Sequence, residues 1–191
     1  MIYEFLAEGF EETEALCPLD LLRRSGAKVV TVCVTSPEDD SLEVTGAHGI
    51  TVKADISAKR AAEILANGAD DVEMVILPGG MPGTKHLDAS ELVHAYITKA
   101  VEKNVYVAAI CAAPMILGKR GLLDGRKATC FPGFEQYLKK SRMGGRVAVD
   151  GKFVTSCGMG AALEFGIALV AVRDGDAAAA SLAEAVLADI G

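Results

Sequence analysis

Residues 105–114, V-Y-V-A-A-I-C-A-A-P, constrain the fold of this chain more than any other segment. Valine, tyrosine and isoleucine predict a buried strand, and the proline suits the first turn of a helix. Between them, Cys111 is followed by two alanines, as the sharp chain reversal of a nucleophile elbow requires. The segment predicts a reactive cysteine at a helix N-terminus, which would lower the pKa of its thiol. The alternative is a buried free cysteine that packs as a small hydrophobe.

The rest of the chain alternates strand-like and helix-like segments. Buried strands are predicted at 2–7, 29–34 and 74–77, helices at 13–25, 58–66, 90–103, 114–119, 134–140, 161–172 and 177–190, and hairpin pairs at 42–44 with 50–52 and 146–149 with 152–155. This rhythm predicts one domain over residues 1–191, built on a doubly wound, mostly parallel sheet in three layers. We expect the functional site at the carboxyl ends of its strands.

Composition excludes several classes of protein. A net charge of -7 argues against nucleic acid as a partner, because phosphate binding needs clustered lysine and arginine. The apolar runs are too short to span a bilayer, so no membrane partner and a cytoplasmic location are expected. The five cysteines contain no C-x-x-C pair and predict neither a disulfide framework nor a metal site: Cys17, Cys33, Cys111, Cys130 and Cys157.

Three carboxylates follow the first predicted strand, in G-F-E-E-T-E at residues 9–14. Glu11 and Glu12 are interpreted as solvated charges that cap a helix N-terminus. Glu14 lies one turn inside that helix, beside apolar residues, and could point back at the elbow. A carboxyl group in such a place would have a raised pKa and could donate a proton to the Cys111 sulfur.

Two glycine-rich segments follow other strands. In L-P-G-G-M-P-G at residues 77–83, the glycines would let backbone N–H groups approach a reacting oxygen, as in an oxyanion hole, or would simply form a turn. The segment T-S-C-G-M-G at residues 155–160 matches a dinucleotide loop only as far as G-x-G. We therefore predict no cofactor.

Four motifs in order resemble one known family over essentially the whole chain. They are G-F-E-E-T-E-A, L-P-G-G-M-P-G, A-I-C-A-A-P and T-S-C-G-M-G-A-A-L-E-F-G. This set resembles the ThiJ/PfpI superfamily, in particular the branch of the Parkinson-disease-associated protein (DJ-one-like). The resemblance implies a flavodoxin-like three-layer α/β/α sandwich, similar to class I glutamine amidotransferases, and a homodimer.

The resemblance also implies roles for individual residues. Cys111 looks like the family nucleophile and Glu14 like its protonated carboxylic partner. Gly79, Gly80 and the backbone of Ala112 look like the oxyanion pocket. The activities implied are conversion of small 2-oxoaldehydes to hydroxy acids without glutathione (glyoxalase III) and removal of early adducts from glycated protein side chains (deglycase).

This chain departs from the family pattern at three positions. Phe131 stands where relatives carry a histidine, so the base that would activate water is unidentified. Cys157 replaces an arginine of relatives, and a transient disulfide of Cys111 with Cys157 or Cys130 is left open. His48 stands where relatives carry an arginine that approaches the site near the dimer interface, and it could supply an acid or base from the neighbouring subunit.

Other interpretations remain open. His86 is expected at a loop tip and His94 on a helix surface, each without a functional role. Oxidation of Cys111 to a sulfinic acid would instead make the protein a non-enzymatic redox sensor or chaperone. A cysteine peptidase or amidotransferase is disfavoured, because Ala112 stands where those relatives place a histidine.

Overall fold

The structure is a computed structural model that describes residues 1–34, 40–68 and 71–189. Its strands are β1 (Ile2–Ala7), β2 (Val29–Val34), β3 (Glu43–Thr45), β4 (Thr51–Lys53), β5 (Ile56–Ser57), β6 (Met74–Leu77), β7 (Tyr106–Ile110), β8 (Lys127–Ala128), β9 (Arg142–Met143), β10 (Val147–Asp150) and β11 (Phe153–Ser156). Its α-helices are α1 (Glu12–Arg24), α2 (Ala58–Ala66), α3 (Gly83–Ala89), α4 (Glu91–Glu102), α5 (Pro114–Lys119), α6 (Ala162–Asp174) and α7 (Asp176–Ala185).

Within the described residues, seven strands form the central sheet, in the order β10-β11-β7-β6-β1-β2-β5. Neighbouring strands are parallel except β10 and β11, which form an antiparallel edge hairpin. The chain leaves β1 toward β2 on one side and later returns to β6 on the other. In open sheets of this kind, the crevice at such a reversal of strand order is where ligands bind.

Helices cover both faces of the sheet and make the three-layer, flavodoxin-like sandwich that the sequence predicts. One core lies under α2, α3, α4 and α5, and includes Tyr96 and Ile116. The other lies under α1, α6 and α7, and includes Leu22 and Phe165. Side chains of β1 point alternately into the two layers: the ring of Phe5 packs edge-on against Tyr96, while Ile2 joins the opposite core.

Most predicted elements form, with ends shifted by one or two residues. The predicted helix at 134–140 is wrong, since only a single 3-10 turn forms there, at Glu135–Tyr137. Leu138 is buried at the end of this turn, and a segment this short gains more from such packing than from helical hydrogen bonds. The predicted helix at 177–190 ends at Ala185, and Ile190 lies outside the described residues.

The loop after β6 also differs from the prediction. It continues into α3, so His86 lies in a helix instead of at a loop tip. His94 is half-buried in α4, and its ring Nε2 lies 2.8 Å from the carbonyl oxygen of Asp88.

Glu4 is an acidic residue inside the sheet. It is fully buried in β1, and neither oxygen of its carboxyl group has a hydrogen-bond partner among the described residues. Burial raises the pKa of Glu4 well above the ordinary value of 4.5, although the positive charge of Arg23 lowers it in part. Arg23 is itself paired with Asp55 at 2.7 Å, so its charge is already partly compensated.

Replacing Glu4 with methionine, a side chain of similar length, is expected to stabilise the fold by about 1–3 kcal/mol near pH 5. The gain should grow with pH. The carboxyl of the unfolded chain ionises near pH 4.5 and that of the folded chain only well above it, so wild type loses stability as pH rises through that window. Urea unfolding near pH 5 and pH 8 measures both effects, with exposed Glu102→Met as the control. A less stable Glu4→Met at both values would contradict this account.

Candidate active site

Cys111 lies at the turn between β7 and α5. Its φ of 64° is in the left-handed region, which for a residue other than glycine costs about 1–3 kcal/mol and is typical of functional sites. The N–H of Cys111 donates to the carbonyl oxygen of Ser156 at 2.8 Å, and its own carbonyl accepts from the N–H of Phe131 at 2.8 Å. These bonds to neighbouring segments hold the strained turn in place. The predicted elbow therefore forms.

Glu14 lies in the first turn of α1 and is 1% exposed. Its carboxyl group hydrogen-bonds the Cys111 thiol and accepts from the N–H of Met159. The N–H of Gly79 donates to Glu14 Oε2 at 3.1 Å. A side chain at position 79 would overlap both the Glu14 carboxyl and the Cys111 Cβ, so only glycine allows this arrangement. The structure brings Glu14 and Cys111 together as expected.

The carboxyl and the thiol compete for protons. Burial raises the pKa of Glu14 to about 7. Burial also raises the pKa of Cys111 to about 12, and the negative charge of Glu14 and its hydrogen bond add to this effect. Between these two values the pair shares a single proton.

The expectation that a helix N-terminus lowers the pKa of the Cys111 thiol is wrong in this structure. The helix α5 has only six residues and begins three residues after the cysteine. Its dipole is therefore weak at the sulfur, because such effects fall off within one turn. Burial and the adjacent carboxylate outweigh it.

The glycine loop after β6 and the elbow both supply N–H groups to the pair. Those of Gly80, in the loop, and Ala112, in the elbow, hydrogen-bond the Cys111 sulfur and favour its negative charge. That of Gly79 is taken by Glu14 instead. Two of the three predicted oxyanion groups therefore face the sulfur, while the third positions the acid. Their role in binding an oxyanion stays a prediction.

Phe131 lies beside this site. It is 47% exposed, and a Cβ at Gly158 would lie 3.2 Å from its ring and 3.7 Å from Glu14 Oε1. Met159 follows and is 54% exposed. The contribution of Met159 was not predicted, although its N–H binds Glu14; the T-S-C-G-M-G motif was the signal that could have indicated it.

Glu12 does not have the predicted solvated position. It is only 5% exposed and receives the backbone N–H of His48 at 2.7 Å and the His48 ring Nδ1 at 2.8 Å. Burial raises the pKa of Glu12, but these hydrogen bonds together lower it by more. The pKa of Glu12 is therefore below its ordinary value of 4.5. Glu11 does cap α1, since its Oε2 accepts the N–H of Glu14 at 2.6 Å. Glu12 is buried because the β3–β4 hairpin folds over the start of α1.

The same residues are a candidate ligand set. Glu11, Glu12 and His48 bring potential ligand atoms within 4.8 Å of one another, but the hairpin already occupies the Glu12 carboxyl. The hydrogen bond to Glu12 raises the pKa of the His48 ring, which is otherwise exposed. In the described chain, His48 contacts Glu12 and not Cys111, and its supply of an acid or base to a neighbouring subunit stays a prediction.

All five cysteines are free thiols. Cys130 is buried in the core under α2–α5, where burial raises the pKa of its thiol to about 11. Cys111 packs instead against the core under α1, α6 and α7, on the other face of the sheet. Cys157 is half-buried and directly follows Ser156, which is paired with Ile110. The two segments run side by side, and a disulfide of Cys111 with Cys157 stays a prediction.

Among the helices of residues 1–34, 40–68 and 71–189, none combines the length and apolar character needed to cross a membrane.

Sequence comparisons relate this geometry to known proteins. The family model described as DJ-1/PfpI family matches residues 1–172. Protein DJ-1 homolog B of Arabidopsis thaliana is 37% identical over 169 residues, 86% of this chain and 36% of that protein. The chain spans only 36% and 41% of the two Arabidopsis relatives, homologs B and A. A deglycase of Pyrococcus horikoshii is 29% identical over 153 residues, 78% of this chain and 85% of that protein.

Comparison of structures gives a similar result. The structure of oxidized DJ-1 from Toxoplasma gondii has a TM-score of 0.88 and 32% sequence identity, with 98% of each chain covered. Agreement over the whole chain at this identity indicates the same arrangement of strands and helices around the elbow.

Proposed function

This chain belongs to the DJ-1/PfpI family, and we propose that it is a stress-response protein that converts or removes reactive 2-oxoaldehydes through Cys111 and Glu14. The observation that carries the proposal is the buried hydrogen-bonded pair of these two side chains, with the N–H groups of Gly80 and Ala112 directed at the sulfur. A nucleophile, a proton carrier and donors for a negative charge are the parts that aldehyde addition needs.

The reaction begins with a bond between the Cys111 sulfur and the aldehyde carbon of the substrate. The thiol proton passes through Glu14 to the former aldehyde oxygen and gives a hemithioacetal, whose developing charge is stabilised by the N–H groups of Gly80 and Ala112.

Glu14 then moves the proton of the hemithioacetal carbon to the neighbouring ketone carbon, and the hemithioacetal hydroxyl proton moves to the ketone oxygen, through an enediol. The first carbon is oxidised to a thioester and the second is reduced to an alcohol, so no outside oxidant or cofactor is needed. Water cleaves the thioester to a hydroxy acid and regenerates the Cys111 thiol. With Phe131 in place of a histidine, we expect this last step to be slow.

Glycated protein side chains are the second substrate class we propose. A relative over 78% of this chain is named a deglycase, and early adducts on amines and thiols release or resemble 2-oxoaldehydes. The same hemithioacetal would then form after the adduct opens. We also propose a homodimer in the cytoplasm, by analogy with the family.

A redox sensor or chaperone controlled by Cys111 oxidation is the alternative function. The observation that favours it is the environment of the sulfur, where the Glu14 carboxyl and two N–H groups would hydrogen-bond a sulfinate. One solved relative is an oxidized DJ-1. In this case hydroperoxide would supply the oxygen atoms and the output would be the modified cysteine.

The test of the proposed function is incubation of purified protein with methylglyoxal in the absence of glutathione. We expect lactate to accumulate over many turnovers, and a quenched reaction to show a transient mass increase of one methylglyoxal on the peptide containing Cys111. No lactate, together with a stable gain of two oxygens on that peptide after mild peroxide, would favour the redox sensor instead.

A further inference from the structure

We infer that Phe131 and Met159 form an apolar rim that selects 2-oxoaldehydes with an aromatic substituent over those with a methyl group. This inference rests on the proposed function and names its preferred substrate class. It follows from the position, exposure and charge of the groups around the Cys111 and Glu14 pair.

Phe131 is fixed beside the reacting groups by its backbone. Its N–H donates to the carbonyl oxygen of Cys111 at 2.8 Å, so the two residues cannot move apart without losing that bond. Its ring lies against Gly158, where an added Cβ would be 3.2 Å from the ring and 3.7 Å from Glu14 Oε1. The ring therefore lies close to the acid and is partly open to solvent, with Phe131 47% exposed.

Met159 is a second exposed apolar residue beside the pair. Its N–H binds the Glu14 carboxyl, and the residue is 54% exposed. Two large apolar side chains exposed next to one reactive pair gain free energy when a ligand covers them. A phenyl group can stack on the Phe131 ring and contact the flexible thioether, whereas a methyl group covers little of either.

The charges near Phe131 and Met159 do not favour an anionic substituent. Arg146 donates through an Nη to the carbonyl oxygen of Gly160, but its Nε also donates to both oxygens of the Glu164 carboxylate, at 2.7 and 2.9 Å. His48 is bound to Glu12. A neutral aromatic group is thus the substituent that matches the chemistry of this rim.

The experiment compares kcat/KM for phenylglyoxal, forming mandelate, with kcat/KM for methylglyoxal, forming lactate. In wild type we expect a ratio of about 10 or more in favour of phenylglyoxal, and in Phe131→Ala a fall of about tenfold. Met159→Ala should lower the ratio by about threefold, since it removes one thioether contact.

Two further variants make the comparison specific. Phe131→Tyr keeps the ring and should keep the ratio. Val101→Ala removes an exposed apolar side chain near the end of α4, at the end of β7 opposite to Cys111. This variant should also keep the wild-type ratio. A wild-type ratio near one, or a ratio that Phe131→Ala leaves unchanged, overturns the inference while the proposed function stands. If wild type converts neither aldehyde, the proposed function fails and the inference fails with it.

Discussion

Replacing Cys111 with alanine is expected to lower kcat/KM for methylglyoxal by at least about a thousandfold, to the level of the reaction without protein. The substitution removes the only atom proposed to bond to the substrate carbon, and no other group on the described elbow can take its place. Lactate formation without glutathione measures the effect. The variant should remain folded, since a smaller residue in this strained turn adds no clash.

The matched control is Cys17→Ala. Cys17 is also half-buried, but it lies in α1, where burial and Asp20 raise the pKa of its thiol. We expect this variant to keep its activity within about twofold. Equal activity of wild type and Cys111→Ala would exclude the covalent mechanism, whatever the state of the other cysteines.

Cys111→Ala also separates the two candidate functions. If the protein is a redox sensor, neither wild type nor the variant forms lactate, and only wild type gains two oxygens. An enzyme would lose both. Measuring the two outputs on the same preparations therefore identifies which role the thiol has.

The sequence predicted the sheet well because its parallel strands are buried on both faces. Such strands appear as short apolar runs, as at Ile2–Ala7 and Met74–Leu77, bounded by residues that break them. The elbow at Cys111 and the position of Glu14 were predictable for a related reason. Each follows directly from the end of a strand, so local pattern and topology together place them at one edge.

Features that depend on distant segments were not predictable. Glu12 is buried only because the hairpin of β3 and β4 folds over it, and its sequence context is that of an exposed cap. The pKa of Cys111 rises because the fold buries its thiol and places Glu14, 97 positions earlier in the chain, against it. Likewise, the pattern of residues 134–140 predicts a helix, but the burial of Leu138 against the rest of the domain leaves only a short 3-10 turn there.

The second large effect is expected from Glu14→Gln, which should lower kcat/KM near pH 7 by about a hundredfold to a thousandfold. In wild type, the pair holds two protons below about pH 7 and one above it. Only the pair with one proton can supply both a nucleophile and a proton donor. The activity of wild type should therefore rise about tenfold per pH unit up to about 7 and then level off.

Glutamine has the same shape but cannot take the proton from sulfur. Burial alone then raises the pKa of the Cys111 thiol above its ordinary value of 9.0, and the rising part of the pH profile should move to higher pH by about two units or more. Profiles of kcat/KM between about pH 5 and pH 10 measure this shift. Glu14→Asp, which keeps a carboxyl group but withdraws it from the sulfur, should give an intermediate rate. If Glu14→Gln instead retained the wild-type profile, the carboxyl would only position the loop at Gly79, and the proton carrier would have to be sought elsewhere in the site.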